Sequence, residues 1–248
     1  GAPANFAVHA KRLGAKSYLL SAVGKDPLGQ KTIAQLKDFQ VETSGLQINE
    51  DFVTGRVNVS LDQIGIPSYD IQKNVAWDHI KFDSTQKKIA QGLDAICFGT
   101  LAQRNSITKN SILKILKSTT HDCLRVFDVN FRKDLYTSKM VEQSLGLANA
   151  VKMNNDEFSV IATMLSLPQN YEKGLQSLIH KFNLKFGIVT LGENGAVMAN
   201  QGHSCFYSHK NAIKIKSTVG AGDAFTAAAV MGWLDQKPLK QIIREASD

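Results

Sequence analysis

Residues 124–130 read LRVFDVN, a short run of apolar residues that ends on polar ones. Its length and its branched and aromatic side chains favour a strand in a sheet covered on both faces. A helical pattern follows at 139–148 (KMVEQSLGLA), and similar strand-then-helix pairs recur along the chain. The other strand-like segments are 17–24, 94–100, 149–154 and 186–192. This alternation predicts an α/β fold, a doubly wound and mostly parallel sheet with helices on both faces.

Residues 51–76 interrupt the alternation. They show a period of two around a Gly-Ile-Pro turn, which predicts a β-hairpin. An antiparallel hairpin attached to a parallel sheet is either an edge decoration or a lid. We therefore expect one α/β domain, residues 1–50 and 77–248, with the hairpin as part of a lid.

Composition excludes several classes of protein. The 248 residues are 43% hydrophobic, enough for a full core, yet no segment is apolar for the ~18 residues that a membrane span needs. The net charge of +7 comes from scattered lysines without aromatic stacking motifs, so we expect no nucleic-acid partner. Three cysteines without metal-site spacing, and no signal-peptide pattern, predict a cytoplasmic protein with reduced thiols.

Residues 217–225, STVGAGDAF, precede an alanine-rich helical pattern. Gly220 and Gly222 permit tight backbone geometry and close approach of a ligand, and amides at a helix start attract anions. A carboxylate there, Asp223, would repel a phosphate unless it has a task such as taking a proton from an attacking hydroxyl. This arrangement indicates phosphoryl transfer. The alternative is that Asp223 simply caps the helix, where aspartate is favoured.

Two common nucleotide-binding motifs are missing from the chain. A G-x-G-x-x-G fingerprint would need glycine where Phe225 stands, and no G-x-x-x-x-G-K-[ST] loop occurs. Their absence argues against a dinucleotide oxidoreductase and against a P-loop enzyme.

The stretch TVGAGDAF, residues 218–225, resembles the D-T-x-G-A-G-D signature of the ribokinase-like (pfkB) carbohydrate kinases. Five other stretches resemble motifs of that family and occur in the family's order. They are GAPANFAVHAKRLG (1–14), VGKDPLGQ (23–30), DVNFR (128–132), NNDE (154–157) and TLGENGA (190–196). GIPSYDI (65–71), NVAWD (74–78) and GTLAQR (99–104) resemble the fructokinase-like branch. The resemblance covers nearly the whole chain and implies a ribokinase-like fold.

The resemblance also implies roles at the phosphoryl-transfer centre. Asp223 would be the base that deprotonates the sugar hydroxyl. The amides of Gly220, Ala221 and Gly222 would form the anion hole for the transferring phosphoryl group. Ser217 stands where the family has an acid, in a loop that can bind a monovalent cation. A K⁺ site at Ser217 and Val219 is therefore in doubt, although serine still offers a carbonyl and a hydroxyl.

For the nucleotide, the resemblance implies that Thr190, Gly192 and Gly195 line the ATP site. Asn154 and Glu157 would place Mg²⁺ and the phosphates, with Glu157 acting through water. Each has a structural alternative. Asn154 and Glu157 have the spacing of a helix-capping box, and Gly192 with Gly195 are typical of a hairpin turn.

For the sugar, the resemblance implies that Gly1 and Asn5 hold hydroxyl groups. Arg104 and Arg132 would contact the sugar or the transferred phosphate. The alternatives are that Asn5 caps a helix and that Arg132 forms a surface ion pair. The chain begins inside the first family motif and ends at IIREASD, so we expect the family's first strand and last helices to be missing.

These inferences predict an ATP-dependent sugar kinase with Mg²⁺ and with fructose as substrate. Within the same family, a nucleoside kinase or a ribose or keto-deoxygluconate kinase is the alternative. From another class, a non-catalytic regulator that binds sugar or nucleotide is the alternative. The resemblance also implies a homodimer that forms through the lid.

Overall fold

The strand-like segments form a six-stranded sheet in the computed structural model, which describes residues 1–61, 67–132, 135–208 and 220–248. Its order is β10-β9-β8-β7-β6-β5, with β5 to β8 parallel and the β8-β9-β10 end antiparallel. The strands of this sheet are β5 (Ala95–Phe98), β6 (Leu124–Asp128), β7 (Ala150–Asn154), β8 (Phe186–Thr190), β9 (Ala196–Asn200) and β10 (Ser204–Tyr207). The mostly parallel α/β fold predicted from the sequence is confirmed.

Helices follow the parallel strands, as the sequence patterns predict. The helices are α1 (Ala2–Arg12), α2 (Pro27–Asp38), α3 (Ser84–Gln91), α4 (Ser106–Ser118), α5 (Ser138–Leu147), α6 (Asn155–Met164), α7 (Tyr171–Phe182), α8 (Ala221–Leu234) and α9 (Leu239–Ser247). Most begin at a residue whose side chain accepts a hydrogen bond from the first turn, for example Asp26 for α2 and Asn105 for α4. Side-chain caps therefore define most helix starts.

The pleat of the sheet separates two hydrophobic cores. Because side chains alternate along a strand, Val151 and Met153 of β7 face the core under α5, α6 and α7. Ala150 of β7 and Ile188 of β8 face the opposite core, where Phe225 and Val230 of α8 pack with α9. The sheet is thus covered by helices on both faces.

Two smaller sheets lie outside the six-stranded one. β1 (Ser21–Gly24), shorter than the predicted strand 17–24, pairs in parallel with β2 (Leu46–Asn49). β3 (Val57–Leu61) and β4 (Pro67–Ile71) pair antiparallel within the segment 51–76. Residues 62–66, which hold most of the predicted Gly-Ile-Pro turn, lie outside the described residues. The division into domain and lid stays a prediction.

Cysteine and membrane predictions can be compared with the described part of the chain. Cys97, Cys123 and Cys205 are free thiols, and Cys123 and Cys205 are buried. Among the helices of the described residues, none has both the length and the apolar character required to cross a bilayer.

Candidate active site

Polar side chains gather where three neighbouring parallel strands end. Asp128 ends β6, Asn154 ends β7 and Thr190 ends β8. Asn154 and Thr190 are register partners, so the pairing of two strands places them side by side. Because ligands of open α/β sheets bind beyond the carboxyl ends of the strands, this edge is the place for a functional site.

The glycine-rich turn opens α8 at the same edge. Gly220 is the N-cap with φ +82°, a left-handed conformation that glycine adopts without strain, and no side chain of the described residues caps this helix. Asp223 is the third residue of the helix and forms no capping bond. The interpretation of Asp223 as a helix cap is therefore wrong. Among the described residues, no side chain accepts a hydrogen bond from the first amides of α8, which suits these amides to an anionic ligand.

The Asp223 carboxylate accepts a hydrogen bond from a residue of α1. The Asn5 side chain donates from Nδ2 to Oδ2 of Asp223 at 2.8 Å. Asn5 lies inside α1, where its own amide bonds to the Gly1 carbonyl at 3.0 Å, so Asn5 is not a helix cap as the alternative held. Burial raises the pKa of the Asp223 carboxyl above its ordinary value, although the Asn5 donor opposes the shift.

At the start of α6, the capping alternative is confirmed. The Asn154 side chain accepts from the Glu157 amide at 2.8 Å, and Glu157 Oε2 accepts from the Asn154 amide at 2.8 Å. Oε1 of Glu157 accepts a further bond from the Phe131 amide at 2.9 Å, which ties the loop after β6 to α6. Burial raises the pKa of Glu157, and the amides of Asn154 and Phe131 oppose that rise.

Gly192 and Gly195 form the connection between β8 and β9, as the hairpin-turn alternative predicts. A 3₁₀ turn spans Gly192–Asn194, and both glycines have positive φ, +60° and +102°. A Cβ on Gly195 would collide with the carbonyl oxygen of Tyr207 on β10. Gly192 is exposed and has open space around it. A nucleotide contact at this turn stays a prediction.

Arg104 lies in a separate cluster beside the hairpin. Its Nε and Nη2 donate to the two oxygens of Asp78 at 2.7 and 2.8 Å, and both side chains are buried. The guanidinium carbon lies 3.9 Å from the centre of the Trp77 ring, and Nη2 also donates to the Gln72 carbonyl. Nη1 is buried without a partner in the described residues.

A cleft of about 310 Å³ lies near this cluster, between the start of α2 and the base of the hairpin. Its lining includes Asp26, Thr54, Arg56 and Gln72. Gln72 lies at this cleft and also accepts a hydrogen bond from Arg104, so Arg104 braces one wall of the cleft.

Arg132 is exposed, and its Nη1 donates to the carbonyl of the preceding Phe131 at 3.2 Å. No ion pair joins it to a carboxylate of the described residues, so the structure does not bear out the ion-pair alternative. Ser217 and Val219 lie outside the described residues, and the K⁺ hypothesis stays a prediction. In the part of the chain that is described, no group of three His, Cys, Asp or Glu residues could hold a metal ion.

The sequence interpretation missed a buried polar group beneath α8. Lys152 of β7 donates from Nζ to Asp128 Oδ1 at 3.3 Å, and both side chains are about nine-tenths buried. Thr226 of α8 donates to Asp128 Oδ2 at 3.1 Å. The available signal was the lysine inside the apolar strand NAVKMN, because an ammonium is almost never buried unless it is paired.

Comparison with known proteins decides the family. A model of the pfkB family carbohydrate kinases matches residues 1–248. The chain belongs to this family. It is 30% identical to the fructokinase of Salmonella typhimurium over 237 residues, which cover 92% of this chain and 74% of the relative. The resemblance predicted from six motifs, the fructokinase-like branch and the class of sugar kinase are confirmed.

Solved pfkB structures show the same fold. An uncharacterized sugar kinase from Pyrococcus horikoshii in complex with ATP has a TM-score of 0.87 at 30% identity, over all of this chain and 80% of that one. The fructokinase of Vibrio cholerae, in a form with bound fructose, ADP and calcium ion, has a TM-score of 0.78 at 25% identity. That match covers 99% of this chain and 80% of the other.

Proposed function

We propose that this pfkB kinase transfers the γ-phosphate of ATP to a primary hydroxyl of fructose. The observation that carries the proposal is Asp223 in the first turn of α8, beside amides that no side chain of the described residues caps. Those amides suit an anionic phosphoryl group, and a carboxylate next to them suits removal of a proton from the attacking hydroxyl. The position of Asp223 next to the first amides of α8 supports both assignments.

Asp223 acts as the base. Asn5 donates to Oδ2, and Oδ1 has no partner among the described residues, so Oδ1 is the oxygen that takes the hydroxyl proton. Burial raises the pKa of Asp223, which makes its carboxylate a better proton acceptor than an exposed aspartate. The orientation set by Asn5 holds that acceptor in one place, which favours in-line attack.

The anion hole is formed by the amides of Gly220, Ala221 and Gly222. Amides that are already oriented stabilise the charge of the transferring group without a cost of reorganisation. The N-terminal end of the α8 dipole adds to the same effect.

Nucleotide binding is assigned to the ends of β7 and β8. Thr190, Gly192 and Gly195 line the ATP site, and Asn154 with Glu157 orient the phosphates. Mg²⁺ supplies charge neutralisation on the phosphates when bound. Both oxygens of Glu157 already accept backbone amides, which favours a contact through water over direct ligation.

The sugar side of the site is assigned to the start of α1 and to the hairpin. Asn5 and the Gly1 turn hold sugar hydroxyls next to Asp223, which the 2.8 Å bond between Asn5 and Asp223 supports. Arg132, which has no carboxylate partner in the described residues, contacts the sugar or its phosphate. Arg104 supports the pocket wall through Gln72. The hairpin closes over the sugar and excludes water, and dimerisation through it remains a prediction.

Fructose is favoured by the relatives. Proteins named fructokinase in Salmonella typhimurium and Escherichia coli are 30% and 27% identical to this chain. A protein named ATP-dependent 6-phosphofructokinase is 24% identical, and one named 5-dehydro-2-deoxygluconokinase is 22% identical. These names define the competitors that a substrate test must contain.

The test is ADP release by the purified chain with Mg-ATP and each of fructose, fructose 6-phosphate, ribose, keto-deoxygluconate and adenosine, with and without K⁺. We expect fructose to have the highest kcat/KM. A higher value for another sugar would replace fructose, and a higher value for adenosine would make the chain a nucleoside kinase. Calorimetric binding of fructose and ATP without ADP release would contradict catalysis and favour the regulator.

A further inference from the structure

Lys152 is a charged residue within the buried strand β7. Side chains alternate along β7, so Lys152 faces the same side as Ala150, toward α8. Its register partner on β6 is Asp128, which places an ammonium and a carboxylate on neighbouring strands under the helix. The Lys152 and Asp128 side chains are 9% and 10% exposed. Such a pair persists in a core only with good geometry and further hydrogen bonds.

The pair is bonded to the first turn of α8. The Thr226 hydroxyl lies 3.1 Å from Asp128 Oδ2 and 2.8 Å from the Gly222 carbonyl, and its single proton is shared between these two acceptors. A Cβ on Gly222 would lie 3.0 Å from Nζ of Lys152. The ammonium therefore lies directly beneath the glycine-rich turn, and glycine at 222 allows this approach.

Lys152 is also the positive charge among buried acids. It interacts with Asp128, Glu157 and Asp223, three carboxylates at the same sheet edge. Burial lowers the pKa of Lys152, but these carboxylates outweigh it and raise that pKa, so the side chain stays protonated. An uncompensated group of three acids would repel a phosphoryl group.

We infer that Lys152 is a positioning residue for phosphoryl transfer, which fixes the first turn of α8 through Asp128 and Thr226 and compensates the charge of Asp223. This inference rests on the proposed function. In this role Lys152 does not contact the substrate. It holds the anion hole at its place on the sheet, and it keeps Asp223 ionised beside an anionic phosphate.

The groups that face Asp223 define the expected change in pH dependence. Burial and Asp128 of β6 raise the pKa of Asp223, and the Asn5 side chain and Lys152 of β7 lower it. Cys97 of β5 faces the same acids with a thiol whose pKa is raised mainly by burial, so it stays neutral. Loss of the Lys152 charge should therefore shift the acid limb of kcat/KM to higher pH.

The experiment compares Lys152→Met with Lys185→Met, which removes an exposed lysine next to β8. For Lys152→Met we expect kcat at pH 7 to fall at least tenfold, KM for Mg-ATP to change less than threefold, and the acid limb to rise by about one pH unit, a shift that corresponds to a tenfold change. Lys185→Met should match the wild type. An unchanged kcat and acid limb in Lys152→Met would overturn the inference.

A second variant keeps the test valid if Lys152→Met does not fold. Replacement of a buried ion pair by apolar residues often preserves stability, so Asp128→Leu/Lys152→Met should fold. We expect its kcat also to fall at least tenfold, and a wild-type kcat would overturn the inference.

Amide hydrogen exchange provides a readout without catalysis. The Ala224 amide bonds to the Gly220 carbonyl at 2.9 Å in the wild type. We expect the amides of Ala224 and Phe225 to exchange at least tenfold faster in Lys152→Met, and unchanged exchange would count against the role of Lys152. If the wild type phosphorylates no sugar, the proposed function fails, while this measurement still tests the fixing of α8.

Discussion

Two helices begin at the same edge of the sheet, and their first turns are used in opposite ways. At α6 the amide of Glu157 is bonded to the Asn154 side chain, and the Glu157 carboxylate returns a bond to the Asn154 amide. At α8 no side chain of the described residues caps the turn, and Asp223 accepts its bond from Asn5 of α1, a helix far away in the sequence. The cap at the start of α6 comes from residues of that same turn, whereas we propose that the amides at the start of α8 bind a ligand.

The two helix starts are held in place by different contacts. The capping box fixes Asn154 and Glu157, and the bond from Phe131 to Glu157 ties the next loop to them. The described residues form no capping box at the start of α8. The position of this turn therefore depends on its contacts with the polar group beneath it, Lys152, Asp128 and Thr226. A helix start that binds a ligand needs this support from its surroundings.

The largest effect is expected from Asp223→Asn. The variant loses the base but keeps the acceptor for Asn5, so kcat should fall by about 10²- to 10⁴-fold. Mg-ATP affinity should stay within threefold, measured by calorimetry. Because burial of the Asp223 charge opposes folding at neutral pH, Tm should stay equal or rise. Asp235→Asn, at the exposed far end of α8, is the control. Near-normal turnover in Asp223→Asn would remove Asp223 from its role.

The next effect is on pH dependence. Asp223 must be unprotonated to act as the base, and burial raises its pKa. Activity should therefore be complete above that pKa and fall about tenfold per pH unit below it, with the limb above the ordinary aspartate value of about 3.9. A kcat/KM profile over pH 3 to 8, on enzyme shown to remain folded, measures it. The limb should be absent from the residual activity of Asp223→Asn.

A moderate effect is expected from Gly220→Ala, because alanine at φ +82° is strained by about 1–2 kcal/mol. Gly14→Ala is a matched control, since Gly14 has φ +99° and also lies just outside a helix. Both variants should lose stability, with Tm lower by about 2–4 °C per kcal/mol. Only Gly220→Ala should also lower kcat. Equal kcat in the two variants would contradict the role of the α8 turn.

The smallest effect separates capping from nucleotide binding at α6. Asn154→Ala and Asn170→Ala each remove an N-cap, of α6 and α7, and should each cost about 1 kcal/mol in the free energy of unfolding. KM for Mg-ATP should rise only in Asn154→Ala, because Asn170 is not among the residues that we propose to orient the phosphates. Denaturant unfolding and steady-state kinetics measure the two effects. A similar KM in both variants would leave Asn154 with a structural role alone.

The fold was predictable because its signals are local. Apolar runs such as LRVFDVN are too short for helices and too apolar for half-exposed strands, which leaves buried parallel strands. The Asn154–Glu157 capping box was predictable for the same reason, since both partners lie within one turn. The bond from Asn5 to Asp223 was not, because residue spacing does not show which helices pack together.

The polar group beneath α8, Lys152 with Asp128 and Thr226, could also not be predicted from the sequence. The role of Lys152 depends on which strands are neighbours and on which face of the sheet its side chain lies, and both follow from topology. Arg104 is a similar case, because Asp78 and Trp77 lie 26 and 27 positions away from it in the sequence. Motif matching identified the residues to which we assign chemistry, while the residues that contact and support them became visible only in three dimensions.

The hydrogen bond between Asn5 and Asp223 closes a loop of 218 residues. Chain entropy makes a contact between residues so far apart in sequence slow to form. We therefore expect the sheet and its two cores to assemble before the Asp223 carboxylate is oriented. In a refolding experiment, catalysis should be the last property to return, after helical circular dichroism has recovered. Enzyme activity then reports the docking of the first helix on α8.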